Sequence, residues 1–182
     1  EPKLARSHDN VGFVLLLMDK LEDAEKEFRA ALDLDREHVG ANPHLGALLK
    51  LRDKFKEARE CFSAVLRKEP ENLDALMGMG NALLSEGKAN EAVIELGNAL
   101  QVDPNFVPAI LALGRAYMSK AWYADALREL ERAQKLAPDS VPVTLAIGQI
   151  YLETGVFAEA LARADKVLSQ EPKNSEALAV KA

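Results

Sequence analysis

A single cysteine, Cys61, leaves no partner for an intrachain disulfide and too few ligands for a cysteine-built zinc site. That scarcity fits a reducing compartment and points to the cytoplasm. Aromatic residues make up only 5% of the chain, and β-branched residues are sparse beside Ala and Leu, a balance that favours helix over sheet. No apolar run approaches a membrane span: the longest, Val11 to Met18, is far short of the ~20 residues required. Excess positive charge is missing too. The net charge of −6 lacks the basic footprint of a nucleic-acid binder. No Asn-x-Ser/Thr sequon occurs, and the chain opens at Glu1 without a methionine, as a trimmed segment would.

What is present is a period. Gly12, Gly46, Gly80, Gly114 and Gly148 recur every 34 residues, and so do Ala24, Ala58, Ala92, Ala126 and Ala160. Pro2, Pro70, Pro104, Pro138 and Pro172 keep the same phase, with Arg36 in place of the missing member. Three interleaved series in one register mark a repeat architecture. Each unit reads as two helices. In the third, Leu76, Met79 and Leu83 share one helical face, Gly87 stops that helix, and Asn90 is placed to cap the next. Ala92, Leu96, Ala99 and Leu100 form the second stripe, which ends at Asp103-Pro104-Asn105. A glycine inside a helix costs about 1 kcal/mol relative to Ala. Five at one position imply two backbones in close approach, with the alanines 12 residues later as the small partners.

The run Leu113-Gly114, Tyr117, Ala126, Leu130, Ala133, Pro138 resembles the tetratricopeptide repeat, and the resemblance covers essentially the whole chain. It implies an all-α fold, a right-handed α-solenoid of antiparallel helix pairs. The repeats would be 5–38, 39–72, 73–106, 107–140 and 141–174 of one array, with 175–182 starting a C-terminal capping helix. Three positions depart from the pattern: His8 and Asn42 replace a bulky apolar residue, and Ala164 replaces a large one. The first junction lacks its proline and runs through Gly40-Ala41-Asn42-Pro43, so a hinge is expected near 36–43. Asn42 is expected to cap a helix that starts late there.

Chemistry-bearing constellations are absent. His8, His38 and His44 have no zinc-helix spacing, although His8 and His44 occupy similar places in adjacent repeats and would approach each other. Gly78-Met79-Gly80 has neither a preceding strand nor a third glycine, so it is no nucleotide loop. Glu22, Asp23, Glu25 and Glu27 read as a solvated helix face, and Cys61 as a small helix-face hydrophobe. No catalytic, metal or cofactor residue is expected, and the chain is read as non-enzymatic.

The resemblance further implies that the first helix of each repeat lines a concave groove. Its wall would hold Phe13, Leu16, Ala47 and Lys50, then Met77, Asn81 and Leu84. Leu111, Arg115 and Met118 follow, and Leu145, Gln149 and Leu152 complete it. An apolar wall with isolated polar residues suits an amphipathic helix or an extended segment of a protein partner. A charge clamp for acidic chaperone tails is missing, since the corresponding positions hold Asp9, Phe13, His44, Pro108 and Ala112. Trp122, in the turn of the fourth unit, is a candidate surface contact. The favoured function is a protein-binding scaffold. Two others stay open: a self-assembling structural protein on a membrane or organelle surface, of the magnetosome-associated type, and a regulatory fragment of a larger enzyme. The net-basic second unit keeps peripheral association with anionic headgroups open.

Overall fold

A computed structural model of the chain describes residues 2–181. Eleven helices follow one another: α1 (Pro2–Leu17), α2 (Leu21–Leu34), α3 (Ala41–Leu51), α4 (Phe55–Lys68), α5 (Leu73–Ser85), α6 (Ala89–Val102), α7 (Val107–Ser119), α8 (Tyr123–Leu136), α9 (Val141–Glu153), α10 (Phe157–Gln170) and α11 (Ser175–Lys181). No strand occurs among the described residues. Successive odd and even helices pair as hairpins, α1 with α2 through α9 with α10, and α11 packs on α10 and α9. The fold is all-α, built from stacked tetratricopeptide-like hairpins.

Within each hairpin the chain turns through one left-handed residue at the same phase: Asp19, Asp53, Gly87, Ala121 and Gly155, with φ between 56° and 79°. Three of these are not glycine, so the sequence signal for the turn is visible in two repeats only. The turn is short enough that α6 already begins at Ala89; Asn90 therefore sits inside its first turn and is not its cap.

The periodic glycines are explained by a different neighbour from the one expected. A Cβ added to Gly12 or Gly46 would lie 2.7–2.8 Å from the ring of Phe28 or Phe62. At Gly80 and Gly114 it would lie 2.7 Å from Leu96 and Leu130. The glycine therefore makes room for the large side chain 16 residues later, which is fully or almost fully buried in every case. The alanine series is buried as well, but it is not what the glycine faces. In the fifth repeat that large residue is Ala164, and the contact at Gly148 relaxes to 3.2 Å from Arg163 Cβ.

Two compact units divide the chain between Val102 and Asp103. The first holds α1–α6, the second α7–α11. In the first, the 36–43 junction is heavily bonded. Asn42 is buried in the first turn of α3, where its Nδ2 donates to the Arg36 and His38 carbonyls at 3.1 Å each. The cap role falls to His38, whose Nδ1 accepts from the Ala41 N–H at 3.0 Å. Asn72 and Asn174 do the same one and four repeats later, through Ala75 and Ala177. Helix α3 starts late, as expected: Leu73, Val107 and Val141 open their helices, whereas the in-phase Val39 precedes α3.

The acidic face of α2 is only partly solvated. Glu25 is buried and bonded to Arg29 at 2.8 Å, to Lys54 at 3.3 Å and to Arg52, which also holds Glu22. Desolvation pushes the Glu25 carboxyl up, but the hydrogen bonds from Arg29, Arg52 and Lys54 together outweigh it and hold the pKa at about 2. These bonds tie α2 to α3 and α4. The histidines also take separate partners. His8 lies 2.6 Å from Glu27, while His44 lies 2.8 Å from the buried Asp9, with Phe13 and Phe28 against its ring.

Candidate functional site

In a first helix, positions four and then three residues apart fall on one face. Helix α7 presents Leu111, Arg115 and Met118 this way, and α9 presents Leu145, Gln149 and Leu152. The two helices lie side by side, and α11 continues the wall beside α9. Together they enclose an open cleft of about 730 Å³. Arg115, Met118, Leu145, Gln149 and Leu152 all line it, so five of the expected groove residues meet around one hollow. Leu111 is half-buried and is not among the lining residues.

Six further lining residues were not singled out from sequence: Ser119, Tyr123, Glu153, Glu176, Ala179 and Val180. A signal for some of them existed. Ser119 and Glu153 share one repeat phase, and Ala179 shares that of Leu111 and Leu145. Helix α11 was expected only as a cap, yet it supplies a wall. Its opposite side anchors it: Ala177 is fully buried with Ala164 and Val167, and Leu145 and Val180 pack against that cluster. Leu145 thus belongs partly to the core and partly to the cleft.

The polar groups of this cleft are unspent. Arg115, Gln149, Glu153 and Glu176 form no side-chain hydrogen bond or ion pair among the described residues. Arg115 and Gln149 are exposed, above a floor of Met118, Leu145 and Leu152. An apolar floor with a few convergent polar groups is the usual make-up of a ligand cleft, and its volume lies in the usual range.

In the first unit the expected residues sit on α1, α3 and α5, which lie side by side. Phe13 is 42% exposed with its ring 5.0 Å from that of His44. Leu16, Lys50, Met77, Asn81 and Leu84 are half-buried, and Ala47 is exposed. Trp122 belongs to the second unit, at the α7–α8 turn, and is 48% exposed. Lys120 Nζ sits 3.3 Å above its ring, and Tyr117 stacks on it at 6.0 Å. Tyr123 next to it lines both the cleft and a shallower hollow formed by residues 121–125.

Reactive chemistry has little to work with. Burial pushes the Cys61 thiol up to about 11, which keeps it protonated and unreactive near neutral pH. Among the described residues, no group of three or more His, Cys, Asp or Glu is placed to hold a metal ion. No helix among them is long and apolar enough to cross a membrane.

Family profiles of the tetratricopeptide repeat match residues 5–38, 47–106 and 123–182. No curated protein matches the sequence. Among solved structures, TTC0263, a thermophilic TPR protein of Thermus thermophilus, is similar with a TM-score of 0.81 and 22% identity, over 96% of this chain and 95% of that one. YrrB, described as a TPR protein with an unusual peptide-binding site, has a TM-score of 0.71 and 24% identity, over 96% and 90%. MamA from Desulfovibrio magneticus RS-1 has a TM-score of 0.79 and 19% identity, over 94% and 97%.

Proposed function

The chain belongs to the tetratricopeptide repeat family, and we propose that it is a protein-interaction scaffold whose second unit holds a polypeptide segment against α7, α9 and α11. The observation that carries this reading is the cleft itself: an apolar floor of Met118, Leu145 and Leu152 beneath polar groups with no partner. Apolar side chains of a ligand fill the floor, and Gln149 can both donate to and accept from its backbone. Methionine in the floor adapts to ligands of differing shape. The similarity to YrrB supports a peptide ligand in kind, without assigning one. The test is Leu152→Glu, at a position 39% exposed and therefore tolerant of a charge. The variant should keep its helical circular dichroism and lose binding to peptides selected on the wild type. Retained affinity would move the functional surface elsewhere.

A second reading, self-association, is favoured by one feature of α1. Leu4, Val11, Val14 and Met18 form an apolar stripe, each 44–56% exposed. The in-phase counterparts of Val11 and Val14 are Leu45 and Leu48 in α3, Met79 and Ala82 in α5, and Ile147 and Ile150 in α9. All six are at most 8% exposed. In α3, α5 and α9 the preceding hairpin packs on the helix. The α1 stripe is therefore one half of a repeat–repeat interface, suited to a second copy of the chain. Sedimentation over a concentration series would show association in the wild type and its loss in Val14→Glu. A wild type that stays monomeric throughout would end this reading.

A further inference from the structure

The charges around the second-unit cleft are ordered, and that order restricts what can lie in it. Arg115 is on α7, Glu153 is the last residue of α9, and Glu176 is in the first turn of α11. One wall of the cleft is therefore cationic and the opposite wall anionic. Charges elsewhere on the surface are mostly neutralised within the fold. Arg59 pairs with Glu86 at 3.0 Å, Arg128 with Asp125 at 3.0 Å, and Lys181 with Asp165 at 2.7 Å. The three cleft charges have no such partner. They also face a hollow with an apolar floor, where water is thinned and a ligand charge is felt more strongly than on open surface.

Building on the peptide-binding reading above, we propose that the cleft selects a polypeptide segment of one charge order. An acidic group lies toward α7, apolar side chains lie at the centre, and basic side chains lie toward the α9 C-terminus and α11. Packed helices sit about 8–10 Å apart, so two steps from α7 to α11 cover about 16–20 Å. That is about five or six residues of extended chain at ~3.3 Å each. The acidic group, a side chain or a terminal carboxylate, meets the guanidinium of Arg115, whose planar fork suits it. Lysine or arginine meets Glu153 and Glu176. Between them Met118, Leu145 and Leu152 take the apolar side chains, and Gln149 fixes the backbone. A segment with the reverse order places like charges together at both ends, which discriminates by repulsion as much as by attraction.

The test is selection from a phage-displayed random peptide library on the full chain, followed by a synthetic peptide of the winning sequence and its charge-reversed twin. The winners should carry acid on one side of their apolar residues and base on the other, and the twin should bind about tenfold more weakly at low salt, a gap that narrows as salt rises. The double variant Arg115→Glu, Glu153→Lys, folded by circular dichroism, should prefer the twin. If winners are apolar without charge order, or the twin binds as tightly, this inference falls while the peptide-binding reading stands. If no peptide is enriched on the wild type over Leu152→Glu, both fall.

Discussion

Replacing Gly114 with alanine tests the packing rule that builds every hairpin. The added Cβ would stand 2.7 Å from Leu130 Cγ and 2.8 Å from Cδ2, so that side chain must retreat by about 0.7 Å to reach ordinary contact. Leu130 is fully buried and has nowhere open to go. Overpacking of this kind costs about 1–3 kcal/mol, and the better helix propensity of alanine returns at most ~1 kcal/mol. A net loss of about 1–2 kcal/mol follows. Gly148→Ala is the internal control, because its Cβ meets only Arg163 Cβ at 3.2 Å and Ala160 O at 3.9 Å. It should be neutral, or stabilising by up to ~1 kcal/mol. Both positions lie in the second unit, and so does Trp122, the sole tryptophan. Urea unfolding followed by its fluorescence therefore compares them directly. A midpoint difference equivalent to about 2 kcal/mol is expected, or about 4–8 °C per kcal/mol in a thermal melt. Leu130→Ala alone should cost about 2–5 kcal/mol. Adding Gly114→Ala to it should cost little more, since the new methyl then faces vacated space, as Gly148 faces Ala164. Equal stability of the two glycine variants, or strict additivity in the double variant, would refute the reasoning.

Three further outcomes are expected. Ala121 is the only one of the five left-handed turn residues that is neither glycine nor aspartate, so Ala121→Gly should stabilise the second unit by about 0.5–1 kcal/mol, read as a raised urea midpoint. Glu25 has its folded pKa lowered from 4.5 to about 2, so its contribution is complete above pH 4.5 and drains away as the pH falls toward 2. Circular-dichroism melts of the wild type should fall through that window, and those of Glu25→Gln should start lower and fall less; parallel curves would contradict the assignment. Iodide should quench Trp122 substantially, given its 48% exposure, and peptide bound at the neighbouring cleft should reduce the quenching through Tyr123; a quenching constant unaffected by saturating peptide would separate the two surfaces.

The sequence alone determined the repeat length, the all-α class and the phase of each helix. The hydrophobic periodicity and the punctuation by glycine and proline are local signals, carried by residues within one hairpin. It also marked Arg115, Met118, Leu145, Gln149 and Leu152, because inward-facing positions recur at one phase. What it could not supply were pairings between elements. Gly114 faces Leu130 and not Ala126, a matter of which rotamer fills the space between two helices. Asn42 reads as a cap, but its amide is taken by the Arg36 and His38 carbonyls while His38 caps the helix in its place. Glu25 reads as surface, but three basic residues converge on it from its own helix and from the end of the next. Helix α11 reads as a cap, and only its seat on Ala164 and Val167 turns Glu176, Ala179 and Val180 into a cleft wall. Periodicity constrains each helix by itself; the side chains that meet across helices are chosen by packing, which depends on volumes and directions that no one-dimensional pattern records.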